Sequence, residues 1–398
     1  MHSRPTIHHA SRIFANALCI LVAGFAAESS AQVVTLNESF TGTSVSGWTM
    51  GGSGYTPILT APSIDTAGSG WLRLTSSGTN QATYAVDNTS FNAANATISA
   101  KFSYASYNGT GADGITFFLY DASKSLAVGA YGGSLGYAQK TSAGGGGADI
   151  SGLNGGYIGV GIDEFGNFAN ATEGRIGGIG STPNAISVRG PGSGLTGYDY
   201  LGGTGALSTA IAFSASTTRP TGANARTIEV VISATNQMTV FLQSGGAGAF
   251  TPLYSIDLSG YARPDLLKMG FTAGTGGSTD IHELQNVTLT SVTSNLWTNR
   301  VGTSLWTSQT GGSPNVTNWD GTILPSTGAD LLFDNTYVST TQNVNVNANQ
   351  TVRAIQIDAP FSYNIGGAGN ITLSDNGVLG PEWVPKTGPG GMLVRSVV

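Results

Sequence analysis

Alternation of apolar and polar residues with a period of two restricts the fold of this chain more than any other feature. Ile98, Ala100, Phe102 and Tyr104 interleave with Thr97, Ser99, Lys101 and Ser103. Successive side chains of a strand point to opposite faces, so this run predicts a strand with one buried face. Ile228, Val230 and Ile232 are mirrored by Met238, Val240 and Leu242 across Asn236-Gln237, which predicts an antiparallel hairpin with an aliphatic core face. Strands of this kind, separated by Gly-rich and Asn-rich turns, recur between residues 32 and 292. Each must stack its apolar face on a second sheet, so the expected fold class is all-β, a sandwich or jelly roll of two antiparallel sheets rather than a parallel α/β sheet. Composition points the same way. With 59 glycines and only 10% charged residues, the chain is poor in the Lys and Glu that favour helix, and almost no helix is expected. A length of 398 residues favours two domains, one with an extensive core.

Arg4 and Arg12 precede an apolar stretch at 13–27, and Ser29-Ser30-Ala31 then offers small residues for cleavage before Gln32. That layout is a secretory signal, residues 1–31. A membrane anchor is the rival reading, but the stretch is shorter than the roughly 20 residues a spanning helix needs. The mature chain is therefore expected to be secreted or held at a cell surface. Cys19, the single cysteine, lies inside the apolar stretch, so the exported chain would carry no thiol, disulfide or cysteine-bound metal. Loss of Arg4, Arg12 and Glu28 moves the formal charge of −6 one unit further negative. No basic cluster remains to meet phosphates, which argues against nucleic acid as a partner.

The composition shifts after Val292, where Trp297, Trp306 and Trp319 lead into Ala329-Asp330-Leu331-Leu332-Phe333. A domain boundary is placed near residue 293. Short strand-like pieces at 344–346, 352–357, 361–365 and 371–373 suit rungs of a β-solenoid, so 293–380 reads as a repeat or solenoid-like segment. Residues 381–398 break the pattern and are expected to be a loosely ordered tail.

Three separated stretches carry more than pattern: Ala112-Asp113-Gly114-Ile115-Thr116-Phe117-Phe118-Leu119, Gly159-Val160-Gly161-Ile162-Asp163-Glu164-Phe165-Gly166-Asn167-Phe168, and Met269-Gly270-Phe271-Thr272-Ala273-Gly274-Thr275-Gly276. In order and spacing they resemble the L-type, legume-lectin-like family, in its secreted bacterial branch. The resemblance covers residues 35–292 and implies a concanavalin A-like sandwich that binds carbohydrate. From Trp297 onward the chain resembles, more weakly, the opening of autotransporter-associated β-strand repeats, which implies a role in surface adhesion.

The family likeness also implies a site. It places a cis peptide between Ala112 and Asp113, aiming the Asp113 carboxylate at two adjacent sugar hydroxyls. Read locally, Asp113-Gly114 is equally a turn pair ahead of a strand. The likeness implies calcium as cofactor, held by Asp163, the Phe165 carbonyl and Asn167 around Gly166, with carboxylate, amide and carbonyl oxygens serving a hard cation. Asn167 would donate to a sugar hydroxyl and the Phe165 ring would stack on the sugar's apolar face. The alternative makes Phe165 a core aromatic and 163–167 a polar turn. The glutamate that holds the transition metal in the plant lectins corresponds to Gly161, so no transition metal is expected. The next family aspartate corresponds to Ala171, leaving calcium one ligand short unless Glu173 or water substitutes. Gly133 and Gly276 lie in glycine-rich loops whose amides could approach a hydroxyl, though such loops are also ordinary turns. His282, the only histidine after residue 31, reads as structural.

Glycoside hydrolases share this fold, so catalysis has to be judged from side chains. Retaining hydrolysis needs two carboxylates about 5 Å apart, which those enzymes set on alternate positions of one strand. The corresponding positions here are Gly161, Asp163 and Phe165, with Glu164 on the opposite face. No nucleophile elbow, P-loop or zinc motif is present in the sequence. The expected function is calcium-dependent carbohydrate binding without catalysis, with a glycan or polysaccharide as partner. A structural or adhesive surface module that has lost sugar binding is the alternative.

Overall fold

The computed structural model describes residues 33–395 except 62, 235, 247, 300, 310–316, 320–323, 326–328, 335–337, 359–360 and 374–390. The expected signal segment lies outside the described residues. Among those described, the only helices are the single 3-10 turns Gly132–Ser134, Thr172–Gly174 and Gly222–Asn224. No described helix is long and apolar enough to cross a membrane.

Two antiparallel sheets form the main body. The first runs Thr251–Asp257, Gln237–Ser244, Arg226–Ile232, Ala96–Tyr107, Ile281–Leu296, and the last of these also pairs with Val33–Glu38 and Leu72–Thr75. The second runs Tyr200–Gly203, Ala185–Arg189, Gly156–Asp163, Gly114–Asp121, Leu266–Gly274, Ala82–Asp87, Trp48–Ser53. The all-β, two-sheet expectation therefore holds. The predicted hairpin has the register its pattern demands, with Ile228 opposite Leu242, Val230 opposite Val240 and Ile232 opposite Met238. Asn236 turns it at φ 64°, a conformation Asn tolerates better than most side chains. Ile98, Ala100, Phe102 and Tyr104 are all buried; on the other face Lys101 and Ser103 are half-buried, but Thr97 and Ser99 are buried too, so the second face is only partly open.

The two sheets meet through aromatic rings. Phe102 of the first sheet lies 5.8 Å from Phe117 and 4.8 Å from Phe271 of the second, measured between ring centroids. Removing such side chains from water contributes about 1.5–3 kcal/mol each. The second sheet is covered on its outer side as well, by a cluster including Tyr137, Phe168 and Tyr198. Every residue of Gly156–Asp163 is consequently buried. Its glycines make room for those rings: a Cβ at Gly159 would come within 2.6 Å of Tyr137, and one at Gly161 within 2.4 Å of Phe168.

Ile281–Leu296 continues past the sandwich. Thr293 is the last residue opposite the first sheet, facing Ala96, and Ser294 then faces Asp330 in a parallel ladder. The composition change near residue 293 thus coincides with a change of partner inside one continuous strand. Beyond it the ladders are parallel: Ala329–Asp334 with Gln350–Asp358, Gln350–Asp358 with Ile371–Leu373, and Gln342–Asn345 with Tyr363–Gly366. Trp297, Trp306, Trp319 and Phe333 centre a separate core there. Of the segment 381–398, expected to be a loosely ordered tail, 381–390 and 396–398 lie outside the described residues, and Gly391–Arg395 forms a strand that pairs antiparallel with Gln350–Asp358. Backbone pairing with an exposed strand edge does not need the side-chain alternation that was missing from this segment.

Candidate functional site

Strands Gly114–Asp121, Gly156–Asp163 and Leu266–Gly274 lie side by side, and the loops at one end of them enclose a pocket. The Ala112–Asp113 peptide is cis. Asp113 donates its N–H to the Gly274 carbonyl at 3.0 Å and accepts at its own carbonyl from the Glu164 N–H at 3.0 Å, so backbone on both neighbouring strands fixes it. Its carboxylate is buried, and Oδ2 has no hydrogen-bond partner. A buried acceptor left in that state carries a desolvation cost of roughly 1–3 kcal/mol, more when charged. Such an arrangement persists where the oxygen has another partner to serve.

Oδ2 faces a cavity of about 200 Å³ lined by Asp113, Gly133, Phe165, Asn167 and Gly276, together with Asn80, Tyr131, Lys140 and Glu173. All five residues expected at a sugar site are therefore brought to one pocket. Phe165 is 41% exposed, which removes the core-aromatic alternative and sets its ring at the mouth. Asn167 is half-buried, its backbone carbonyl accepts from Asn170, and it lines the cavity. Gly133 lies in the first turn of Gly132–Ser134, where a backbone N–H has no acceptor within the turn. A Cβ at Gly133 would fall 2.2 Å from the Asn167 Cβ, so the two loops touch only because this residue is glycine. Gly276 differs from the expectation. Its N–H donates to the Ser278 carbonyl at 3.2 Å, so Gly276 walls the pocket rather than offering a free amide.

The residues expected to hold calcium do not fit that ion. Asp163 is fully buried, and its oxygens accept from the Gly166 and Phe168 N–H groups at 2.8 and 2.7 Å. It pins the turn that carries Phe165 and Asn167. Glu173 is ion-paired at 2.9 Å with both Lys140 and Arg175, so two protein cations already occupy its carboxylate. Among the described residues no cluster of three or more Asp, Glu, His or Cys could hold a metal ion. In the expected set Asp163, Phe165, Asn167 and Glu173, backbone amides and cationic side chains already hold both carboxylates a divalent ion would draw on.

Behind the pocket, Glu164 turns away from the cavity, as its position on the opposite strand face predicts. Its Oε1 is 3.0 Å from His282 Nε2, and His282 Nδ1 is 2.6 Å from Thr75 Oγ1, so His282 is a buried structural link. Asp280 accepts from Ser214, and the neighbouring Glu164 carboxyl adds to the effect of its burial. Burial pushes the carboxyls of Asp113, Asp163 and Asp280 each up to about 7, raises Glu164, and pushes His282 down to about 4. Between the ordinary carboxylate range and about 7, the folded state holds acid protons that the unfolded chain has released, so rising pH costs stability there. His282 acts oppositely between about 4 and 6.5, where only the unfolded chain binds its proton. The carboxyls outnumber the histidine. The melting temperature is expected to fall as pH is raised from about 4.5 to 7.5, and calorimetric scans that stay flat or rise over this window would contradict the burial of these groups.

Sequence reasoning missed Lys140 and Tyr131. Lys140 Nζ lies 4.2 Å from the Tyr131 ring centroid while holding Glu173, which makes one wall of the pocket. Neither residue stood out, because an isolated lysine or tyrosine in a Gly-rich loop has no periodicity and no motif to announce it.

The fold and the pocket define an antiparallel β-sandwich with a carboxylate-floored cavity at the end of three adjacent strands. No protein-family model matches the chain, and no curated protein matches it. Among solved structures it is similar to the lectin from Bauhinia forficata in complex with GalNAc, at 17% identity and a TM-score of 0.43 over 66% of this chain and 99% of that one. It is similar to the Lotus tetragonolobus seed lectin, at 17% identity and a TM-score of 0.45 over 65% and 98%. A third likeness is to the exoplasmic/lumenal domain of VIP36 in its Ca2+/Man3GlcNAc-bound form, at 17% identity and a TM-score of 0.40 over 61% and 85%. At these scores the fold assignment stands on the strand order and registers of the chain itself.

Proposed function

We propose that this chain is a carbohydrate-binding protein that takes one sugar ring into the Asp113 pocket and does not cleave it. The observation that carries this reading is the buried, partnerless Asp113 Oδ2 facing a cavity lined by Asn167, Gly133 and the exposed Phe165. A pyranose presents the complement of that surface. Adjacent hydroxyls donate to the carboxylate, the amide can donate or accept, and the sugar's C–H face lies on the aromatic ring. At about 200 Å³ the cavity is smaller than the roughly 300–1,000 Å³ of drug-sized sites, so the remainder of a glycan would lie outside it.

Binding is favoured over hydrolysis by the state of the carboxylates. Of the two that line the cavity, Glu173 is already ion-paired with Lys140 and Arg175, and Asp163 and Glu164 point elsewhere. Export and surface adhesion belong to the same proposal, supported by the leader-like residues 1–31 and by the parallel ladders that follow the sandwich. The test is calorimetric titration of the chain with a panel of mono- and oligosaccharides. Phe165→Ala is expected to weaken the responding sugar by about 0.5–1.5 kcal/mol, about twofold to roughly tenfold, without lowering the melting temperature, because the ring is exposed. A panel with no responding sugar, or release of new reducing ends, would remove the proposal.

A further inference from the structure

We infer that Arg189, seconded by Arg175, holds the pocket loop in the way a bound divalent cation would, so that the pocket keeps its shape without metal. Arg189 is fully buried, and its guanidinium spends every N–H on a backbone carbonyl. Nε donates to Phe168 at 2.8 Å, Nη1 to Ile176 at 2.8 Å and to Tyr198 at 2.7 Å, and Nη2 to Asn170 at 3.2 Å and to Gly177 at 3.3 Å. No carboxylate is among these partners. Carbonyl oxygens converging on a buried positive charge are the donor set of a hard cation, with the charge here tethered to a strand instead of taken from solution.

Arg175 works from the other side. It is also buried, donating from Nε to the Asn170 carbonyl at 3.3 Å, from Nη1 to Ser134 Oγ and Glu173 Oε2 at 2.9 Å each, and from Nη2 to Thr172 Oγ1 at 2.9 Å. The Asn170 carbonyl is thus shared by both guanidinium groups. Nη2 of Arg175 also lies 3.3 Å from the position a Gly133 Cβ would take, which puts the cation directly behind the contact between Gly133 and Asn167.

Between these charges the loop has little freedom. The Phe168 N–H donates to Asp163 and the Phe168 carbonyl accepts from Arg189, so the residue after Asn167 is held by an anion on one side and a cation on the other. The Phe168 ring fills the space over Gly161 and lies 5.5 Å from the Arg189 guanidinium carbon. A buried charge is tolerated only when its hydrogen bonds are complete, and Arg189 meets that condition with neutral carbonyls alone.

The inference concerns the loop and stands whatever the pocket binds, so it is tested on backbone protection rather than on sugar affinity. Amide hydrogen exchange and melting temperature of the whole chain would be compared in excess calcium chloride, in chelator, and in Arg189 variants. For the wild type, calcium and chelator are expected to give the same melting temperature and the same exchange across residues 166–178. Arg189→Ala is expected to speed exchange there by on the order of tenfold or more, with the hairpin strands Arg226–Ile232 and Gln237–Ser244 unchanged. Arg189→Lys, whose ammonium has three donors for five carbonyls, is expected to fall between the two and serves if the alanine variant does not fold. Calcium-dependent protection of the wild-type loop, or unchanged protection in both variants, would overturn the inference while leaving the sugar-binding proposal open to its own titration.

Discussion

Asp113→Asn is expected to weaken glycan binding by on the order of a hundredfold while leaving the melting temperature at pH 8 unchanged or higher. A hydrogen bond to a charged acceptor contributes about 1.5–3 kcal/mol, and a carboxylate facing two sugar hydroxyls accepts two of them. Asparagine keeps the shape and one acceptor oxygen but loses the charge, and its amide group meets hydroxyls with donors. Losing about 3 kcal/mol corresponds to roughly two orders of magnitude in affinity. The stability half of the prediction has the opposite sign to that of an ordinary buried aspartate. Burial pushes Asp113 up to about 7 and its Oδ2 has no partner within the chain, so above that pH the fold carries an ionised group it does not compensate. The neutral amide relieves this cost. Equal affinity of the two proteins would end the assignment of Asp113 to binding, and a large drop in melting temperature would make it a structural residue.

The same ionisation couples binding to pH. Hydroxyls donate to the carboxylate form, so sugar affinity is expected to rise as pH increases through about 7, even as the free protein loses stability over the acid side of that range.

Phe271→Ala is expected to cost about 3–5 kcal/mol of folding free energy, as truncation of a fully buried aromatic does. Phe271 is 0% exposed, and its ring lies within 4.8 Å of Phe102, 5.7 Å of Phe117 and 6.4 Å of Trp48, centroid to centroid. No small rearrangement of three rings on two sheets fills the resulting space, which places the change toward the costly end of the range. The strand Leu266–Gly274 that bears Phe271 also supplies the Gly274 carbonyl that holds the Asp113 N–H, so sugar affinity should fall with stability. Urea titration measures the effect. A loss below about 1 kcal/mol would mean that the sheets do not depend on this aromatic contact.

The sequence was most informative where physics is periodic. The alternation at 97–104 and the mirrored hairpin around Asn236 determine which face is buried, and the observed registers follow from them. Asp113, Phe165 and Asn167 were legible through short stretches whose resemblance supplied a common site, and the pocket gathers them as that resemblance implied. The partners of the charged residues were not legible. Asp163 and Glu173 are the carboxylates a metal reading selects, yet which donors reach them depends on the path of the loops: Gly166 and Phe168 for the first, Lys140 and Arg175 for the second. Arg175 and Arg189 carried no signal, since each is a solitary cation in a Gly-rich stretch, Arg175 with only Glu173 near it in sequence. The link between Glu164 and His282 spans 118 positions, a separation that no local pattern encodes.

The strand Ile281–Leu296 has a mechanical consequence. It exchanges an antiparallel neighbour for a parallel one between Thr293 and Ser294 without leaving its own axis. A pull exerted from the Trp-centred ladders therefore travels lengthwise into the sandwich, where the bonds to Ala96–Tyr107 and Val33–Glu38 resist together in shear instead of unzipping one after another. The pocket residues Gly276, Gly277 and Ser278 lie in the connection that enters this strand at Ile281, so the cradle is joined to the loaded strand at the end opposite to the pull.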